Sequence, residues 1–228
     1  PEEGNNLNLG FIVDRRGLCG LMRVQWETNF YYMMMKNMIR LFPADTRSIY
    51  TNLGKTRTIG MDTDVKVDVT RNVYLYFNLT LQDIRDRQRW FNDEQGTSNP
   101  TYNKHVPNIP AFYYNYGMEY HAEGLIGRRE LSRVYIDVSH VGEFDWGWQM
   151  SSLAEERRKW RIPSNDVFTI GLQQSLWHNN MSLSLELENV FNKENYMEFK
   201  MPLPGRTLKA KLRFNLFRDK LAGGAMSL

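Results

Sequence analysis

The sequence has a single cysteine among 228 residues and no long apolar run. The lone thiol, Cys19, cannot form an internal disulfide or a cysteine-based zinc site, and we interpret it as an inert thiol in a turn. A membrane-spanning helix is excluded, because such a helix needs about 20 consecutive, mostly apolar residues. The mean hydropathy of -0.55 does not exclude membrane-spanning strands, since half of the residues in such strands are polar.

A large excess of one charge is also lacking, because the net charge is +3 and the basic residues are spread along the chain. Binding to nucleic acid is therefore not expected, since it needs a clustered basic stripe. His105, His121, His140 and His178 lack the spacing of metal ligands, so we predict structural roles for them and no metal site. No nucleophile triad, phosphate loop or nucleotide fingerprint occurs, and no catalytic residue or cofactor is predicted.

Alternation of apolar and polar residues is the strongest pattern that the chain does have. Residues 181–188 read Met-Ser-Leu-Ser-Leu-Glu-Leu-Glu, and residues 208–216 read Leu-Lys-Ala-Lys-Leu-Arg-Phe-Asn-Leu. Successive side chains of a strand point to opposite faces, so this pattern predicts a sheet with one apolar and one charged face. Aromatic residues, which strands and membrane interfaces favour, make up 13% of the chain.

The alternation predicts nine strands and little helix. The predicted strands are Asn6–Val13, Leu21 to about Phe42, about Ile49–Asp68, Val73 to about Asp86, Ala111–His121, Leu131–Val141, Asp166–Trp177, Met181–Val190 and Thr207–Phe217. One short helical turn is predicted within Ser151–Lys159. The fold class is therefore all-β.

Short and long connections alternate along the chain. Short turns are predicted near Arg15–Gly20, 68–72, Ala122–Arg129 and 177–181, and longer joins at Pro43–Arg47, Arg87–Pro110, Gly142–Asn165 and Val190–Arg206. This asymmetry is typical of antiparallel outer-membrane β-barrels, which have short periplasmic turns and long extracellular loops. Such barrels have even strand numbers and no free edges, so nine strands indicate either a miscount by one or a section of a larger wall.

The C-terminal part carries the most specific motif. It reads Leu-Glu-Leu-Glu-Asn-Val-Phe-Asn-Lys-Glu-Asn-Tyr over residues 185–196, and Pro204-Gly205-Arg206 then opens the last strand. This resembles the C-terminal end of TonB-dependent outer-membrane receptors, in which Asn-Leu-Phe-(Asp/Asn)-Lys-x-Tyr precedes a loop and Pro-Gly-Arg opens a strand that ends in an aromatic residue. Since that strand ends the protein in the family, we interpret residues 218–228 as a flexible extension of a barrel portion at 1–217.

Further matches cover nearly the whole chain. Residues 50–62 resemble the family's Asn-x-Gly-x-(Ala/Thr)-x-x-x-Gly-hydrophobic-Glu strand, with Asp62 in place of the commoner Glu. Val106-Pro-Asn-Ile-Pro110 before an aromatic strand is a third match, and the opening segment with Asn8-Leu9-Gly10 is a fourth.

The resemblance implies a plugged barrel of about 22 strands, of which this chain supplies about the last nine. It implies a receptor in a Gram-negative outer membrane that takes up a scarce ligand, most often a ferric siderophore, with cobalamin, haem and oligosaccharide left open. Its implied partners are membrane lipid, the small-molecule ligand, the remaining strands, an N-terminal plug and the TonB protein, which supplies the energy. The chain starts at Pro1-Glu2-Glu3 without a secretion signal, so the plug and the TonB-contacting segment are expected to lie outside it.

Aromatic and cationic residues in the longer joins are the candidates for ligand binding. They are Trp90, Phe91 and Tyr102 in one join, and Trp146, Trp148, Arg157, Arg158 and Trp160 in the next. Aromatic rings with cations can grip an anionic, ring-bearing chelate by stacking and charge. The alternative role is an interfacial aromatic girdle with loop packing, which we assign to Trp26, Tyr120 and Trp177 at the opposite end.

Asp62, Asp64, Lys66 and Asp68 lie on one face of the third predicted strand. Carboxylates at this spacing suit an acid–base pair or a cation site, but a solvated lumen with a plug contact is the preferred interpretation. Met33, Met34, Met35 and Met38 are interpreted as apolar filler rather than soft-metal ligands. Gly60 and Gly171 are expected to permit bending or approach of the plug.

Two other architectures stay open from the sequence alone. A small self-contained barrel serving as a pore, adhesin or membrane enzyme requires the first and ninth strands to pair with each other. A soluble all-β binding domain requires the apolar faces, including Leu75, Phe77, Leu183 and Leu185, to be sealed in a protein interior.

Overall fold

The computed structural model describes residues 2–43, 48–90 and 96–215, without the side chains at 38–43 and 48–53. Its strands are β1 (Glu3–Arg16), β2 (Arg23–Pro43), β3 (Ser48–Asp68), β4 (Val73–Asp86), β5 (Phe112–Glu123), β6 (Leu131–Val141), β7 (Phe144–Asp145), β8 (Arg161–Ile162), β9 (Asn165–Leu176), β10 (Met181–Glu188), β11 (Tyr196–Glu198), β12 (Met201–Pro202) and β13 (Thr207–Phe214). One α-helix, α1 (Ala154–Lys159), and a 3-10 turn at Leu18–Gly20 complete the described elements.

Nine strands form one antiparallel sheet in the order β1-β2-β3-β4-β5-β6-β9-β10-β13. These are the nine predicted strands, with ends that differ by a few residues, so the all-β prediction is confirmed. The remaining strands pair locally in loops, β7 with β8 and β11 with β12. The predicted extension at 218–228 lies outside the described residues.

The outer face of the sheet is a continuous apolar surface. One row across eight strands consists of Val24, Val67, Leu75, Met118, Ile136, Ile170, Leu187 and Leu208, each aligned with the next. Period-two alternation places all of them on the same side, because the register keeps each strand's apolar set aligned with its neighbour's.

No part of the chain that the structure describes covers that face. Leu75, Phe77, Leu183 and Leu185 are between 36% and 39% exposed. The buried apolar residues of the described part are only Val106, Ala122, Val138 and Ile162. The interpretation as a soluble domain with a sealed core is therefore wrong.

Polar side chains on the outer face satisfy one another. The hydroxyls of Thr28 and Thr63 are 2.6 Å apart, and the indole nitrogen of Trp26 donates to Thr28 at 2.8 Å. The Thr63 hydroxyl also donates to the carbonyl oxygen of Glu27 at 3.1 Å. Such local pairing is what an apolar surrounding requires, because an unpaired polar group there is costly.

The sheet does not close on itself. No pairing joins β1 to β13 within the described ranges, and these two strands stand at the sheet's margins. The interpretation as a self-contained nine-strand barrel is therefore wrong, and the sheet is an open section of wall.

The loops that the structure describes are sorted by length as the sequence predicts. Long connections at 87–111, 142–164 and 189–206 leave one end of the sheet, which we call the loop end, and short turns leave the other. Most of the predicted longer join Pro43–Arg47, residues 44–47, lies outside the described residues. The strands on either side of it are extended: β2 and β3 pair as far as Pro43 and Ser48, whereas β3–β4 pairing stops at Thr56 and Asp86.

Candidate functional site

The three long connections contact one another at the loop end. The Lys104 ammonium of the first connection donates to the backbone carbonyl of Gln149 in the second at 2.8 Å. The backbone N–H of Asn108 donates to the backbone carbonyl of Asp145 at 2.8 Å. The third connection reaches the second through Phe199, which lies against Trp146. The loops thus form one continuous surface above the sheet.

An aromatic cluster lies at the junction of the second and third loops. Trp146 and Trp160 stack with ring centroids 5.5 Å apart and planes at 16°. Phe199 joins both, at 5.1 Å from Trp146 and 5.2 Å from Trp160. The Lys200 ammonium lies 5.2 Å from the Phe199 ring centroid, which adds a cation to this ring surface. We call Trp146, Trp160 and Phe199 the aromatic cluster.

The β7–β8 hairpin brings the two tryptophans together. Phe144 pairs with Ile162, and Asp145 pairs with Arg161. Trp146 is the first residue after β7 and Trp160 the last before β8, so the two lie side by side at the end of the hairpin ladder. The Trp146 amide donates to the Trp160 carbonyl at 2.8 Å. Arg161 also binds Glu143 at 2.9 Å and Asp145 at 3.3 Å, and Ile162 is 1% exposed, so the base of the hairpin is anchored.

The other predicted residues of the second loop are Arg157, Arg158 and Trp148. Arg157 and Arg158 are exposed on α1, in the turn that leads into Trp160. Trp148 is half-buried, and its carbonyl accepts from the Met150 amide at 2.9 Å. The two arginines therefore precede the exposed Trp160 by three and two positions along the chain.

The first loop is organised by a carboxylate that sequence reasoning did not single out. Asp86, at the end of β4, is 1% exposed. It accepts hydrogen bonds from the Asn99 amide group at 2.9 Å, the Thr101 hydroxyl at 2.5 Å and the Gln88 backbone N–H at 2.8 Å. Since hydrogen bonds from three groups compensate its burial, Asp86 has a structural role.

The predicted residues of the first loop stand apart from the aromatic cluster. The Cζ atom of Arg87 lies 5.5 Å from the centroid of the Tyr102 ring. The Cζ atom of Arg89 lies 5.5 Å from the centroid of the Trp90 ring. Both aromatic residues are exposed. Phe91 lies outside the described residues. The structure thus brings together Trp146 and Trp160 but not Trp90 or Tyr102 with them.

Asparagines of the C-terminal motif fix the third loop. Asn195, 1% exposed, accepts from the Asp166 amide at 3.2 Å and donates to the Asp166 carbonyl at 3.0 Å. Asn165, at the start of β9, holds the motif's Tyr196 in a similar way: its side chain donates to the Tyr196 carbonyl and accepts from the Tyr196 backbone N–H. Asn189 accepts from the Lys193 amide at 2.9 Å and adopts a left-handed backbone with φ of 52°, which Asn tolerates well. The motif therefore encodes loop shape.

The pKa of one tyrosine in the third loop, Tyr196, is shifted. Tyr196 donates a hydrogen bond of 2.6 Å to the Glu194 carboxylate. That bond, with burial as the lesser cause, raises the pKa of Tyr196 above its ordinary value. The phenol is therefore protonated and a donor at neutral pH.

The predicted lumen residues lie on the inner face of β3, opposite the apolar face. Asp64 binds the Lys66 ammonium at 2.8 Å and the Asn78 amide group, and Asp62 accepts from the Thr80 hydroxyl at 2.7 Å. Asp68 is the register partner of Arg23. These contacts are those of a solvated polar wall, and the plug contact stays a prediction.

Aromatic rings of the same sheet approach the strand glycines, and approach of a plug stays a prediction. A Cβ atom at Gly171 would lie 2.0 Å from the ring of Tyr135, and one at Gly60 would lie 2.3 Å from that of Tyr31. The hydroxyl of Tyr135 reaches past Gly171 to Glu186 on β10, at 2.6 Å. A third such ring crosses Gly117, where the Tyr76 hydroxyl reaches Asp137 at 2.8 Å. The glycines therefore make room for tyrosines of the same sheet.

Neither a metal cluster nor a membrane helix occurs in the part that the structure describes. No group of three or more His, Cys, Asp or Glu side chains is placed to hold a metal ion there. The helices within the described ranges include none with the length and hydropathy that a membrane span requires.

Comparison with known proteins gives one family. The profile described as TonB dependent receptor-like, beta-barrel, matches residues 1–190. Comparison with curated proteins finds no match.

Solved structures share the fold at low identity. The ferric yersiniabactin uptake receptor FyuA from Yersinia pestis is 15% identical with a TM-score of 0.61, over 93% of this chain and 28% of that chain. BauA, the ferric preacinetobactin receptor from Acinetobacter baumannii, is 13% identical with a TM-score of 0.66, over 93% of this chain and 29% of that chain. The copper transporter OprC is 18% identical with a TM-score of 0.66, over 94% of this chain and 31% of that chain. The chain thus spans less than a third of the length of each.

Proposed function

Because the chain belongs to the TonB-dependent receptor-like β-barrel family, we propose that it forms the C-terminal part of the wall of an outer-membrane receptor for a scarce metal chelate. Residues 1–217 are the barrel portion in this proposal, and 218–228 are an extension. The open margins of the sheet support it, because a wall section needs further strands on both sides to survive in lipid.

The uncovered apolar face supports a position in a bilayer. The row that contains Leu75, Ile136 and Leu187 faces away from the polar inner wall and is aligned across adjacent strands. In the proposed orientation the apolar row contacts acyl chains, the loop end is extracellular, and the inner face meets an N-terminal plug. Energy comes from TonB acting on that plug.

The aromatic cluster carries the proposal for the ligand. Exposed Trp160 stacks with Trp146 and Phe199, and Lys200 lies over Phe199. Rings beside a cation suit an anionic ligand with aromatic groups, such as a ferric siderophore. FyuA and BauA, named as receptors for ferric complexes, share the fold, which favours iron chelates over the other candidate ligands.

A binding assay on the complete receptor tests this proposal. Intrinsic fluorescence is titrated with a panel of ferric catecholate, phenolate and hydroxamate siderophores, and growth of a deletion strain is scored on each as sole iron source. We expect nanomolar to micromolar binding of one class. Replacing both Trp160 and Phe199 by alanine should weaken it about ten-fold or more, as loss of a stacked aromatic contact does.

The matched control is Trp177→Ala, which removes an exposed tryptophan at the opposite end of the sheet and should leave affinity unchanged. Failure of every ferric complex to bind the wild type would refute the iron chelate as ligand. Equal losses in the control and in the loop variant would refute the aromatic cluster as the binding surface.

A further inference from the structure

The outer face changes from apolar to basic toward the loop end of β2, β3 and β4. The apolar series on these strands reaches Tyr32, Ile59 and Leu81, which are all exposed. Further toward the loop end, the same face carries four cations, Lys36, Lys55, Arg57 and Arg85. We call these four residues the basic patch.

Like charges stand directly opposite each other in the basic patch. Lys36 is the register partner of Lys55 on β3, and Arg57 is the register partner of Arg85 on β4. Directly opposed like charges destabilise a sheet. Two such pairs in neighbouring rows of one face therefore call for anions between them.

Acidic residues in the described part of the protein supply only some of that negative charge. Asp83 accepts from Arg57 Nη2 at 2.9 Å and from Arg85 Nε at 2.9 Å, and it lies 3.3 Å from the Nδ1 atom of His105. His105 also contacts Arg85 at 3.1 Å. Glu3 is the register partner of Lys36. Among the residues that the structure describes, four cations thus face two carboxylates, and a positive surplus remains there.

The position of the basic patch on the outer face indicates which kind of molecule binds it. Apolar residues directly below it contact acyl chains if the sheet sits in a bilayer, so the patch lies at the level of the lipid headgroups. Guanidinium and ammonium groups bind phosphate oxygens, and basic residues at this level attract anionic lipid. We infer that the basic patch binds the phosphate groups of an anionic lipid of the outer leaflet. This inference depends on the proposed function, because it needs the outer face to meet lipid.

Lipid binding to the complete receptor in neutral detergent tests the inference. The probe is a fluorescent, doubly phosphorylated lipid A, and phosphatidylcholine is the comparison lipid. We expect R57Q/R85Q to lower the affinity for lipid A about thirty-fold and to leave phosphatidylcholine unaffected, since each lost basic residue near a lipid surface weakens binding about five-fold. If that variant does not fold, K36Q/K55Q tests the same patch without breaking the Asp83 ion pairs.

The matched control is K209Q/K211Q, which removes two cations from the inner face of β13 and should retain lipid A binding. Unchanged lipid A binding by both patch variants would overturn the inference, as would an equal loss in the control. Full displacement of lipid A by inorganic phosphate at micromolar concentration would overturn the assignment to a lipid and indicate a free anion.

A second measurement separates this inference from the proposed function. A nitroxide attached to cysteine in a C19S/I136C variant reports whether the outer face meets acyl chains, through accessibility to oxygen rather than to a water-soluble relaxant. If the label is lipid-exposed and the patch variants still bind lipid A normally, only the patch inference fails. If the label is in water, the proposed function fails as well.

Discussion

Replacing Ile136 by arginine is the sharpest test of what the outer face contacts. Ile136 is the sixth of the eleven residues of β6 and lies between Met118 and Ile170 in the apolar row. It is 41% exposed, and its two neighbours are 47% and 43% exposed. No covering protein would therefore clash with a longer side chain.

The expected cost depends on the surrounding medium. In water, an arginine at so exposed a site changes stability by about 0.5 kcal/mol or less. At the midplane of a bilayer, arginine on the lipid face of a barrel costs about 2–4 kcal/mol. A cost of about 3 kcal/mol lowers the ratio of folded to unfolded protein roughly a hundred-fold.

Urea titration of the complete receptor in phospholipid vesicles measures this cost, with the heat-modifiable gel mobility of the folded barrel as readout. The matched control is Ser139→Arg on the inner face of the same strand, where the arginine meets the polar wall and should cost little. Equal stability of the two variants would refute the assignment of the outer face to lipid.

Three further predictions concern the inner wall and the loops. Gly171→Ala should lower stability by about 1–3 kcal/mol in the same titration, because the new methyl group overlaps the ring of Tyr135. Asp86→Ala should make the 87–111 loop several-fold more sensitive to limited proteolysis, because it removes the acceptor of hydrogen bonds worth about 1–3 kcal/mol each. Absorbance titration should find Tyr196 ionising above the ordinary pKa of about 10, and Glu194→Gln should return it toward that value. Since the folded pKa is raised, the stabilisation by this hydrogen bond is complete below about pH 10 and is lost as the pH rises through the folded pKa.

Each of these predictions has a control or a contrary outcome. Gly147→Ala should be neutral, because a Cβ atom there meets no atom within 4 Å. Cleavage in the 142–164 loop should stay unchanged in the Asp86 variant, and a general rise in cleavage would contradict a local role. An unaltered titration after Glu194→Gln would contradict the assigned cause of the pKa shift.

The strands could be predicted from the sequence because their signal is local. Runs such as Met181–Glu188 keep the two-residue period without interruption, and turn residues separate them. The asparagines of the C-terminal motif were also visible in the sequence. Their function in holding loop backbone was not, because Asn195 bonds a residue 29 positions earlier.

The candidate site was predictable only in part. Trp146 and Trp160 were chosen because they are aromatic residues near cations in one long connection, and the structure stacks them. Phe199 was missed, since it lies 39 positions beyond Trp160 in a loop without periodicity. Gly171 was noticed, but the ring that covers it comes from β6, and only the strand register reveals that pairing.

The two unpaired margins of the sheet have a consequence for biogenesis. Each exposed amide or carbonyl along them would cost several kcal/mol in hydrocarbon. In the proposed outer-membrane location, partial immersion of these strands is therefore unfavourable, and both margins have to be paired before or while the barrel enters the bilayer. We expect a factor that assists insertion to cover these margins, because exposed strand edges otherwise pair with another chain.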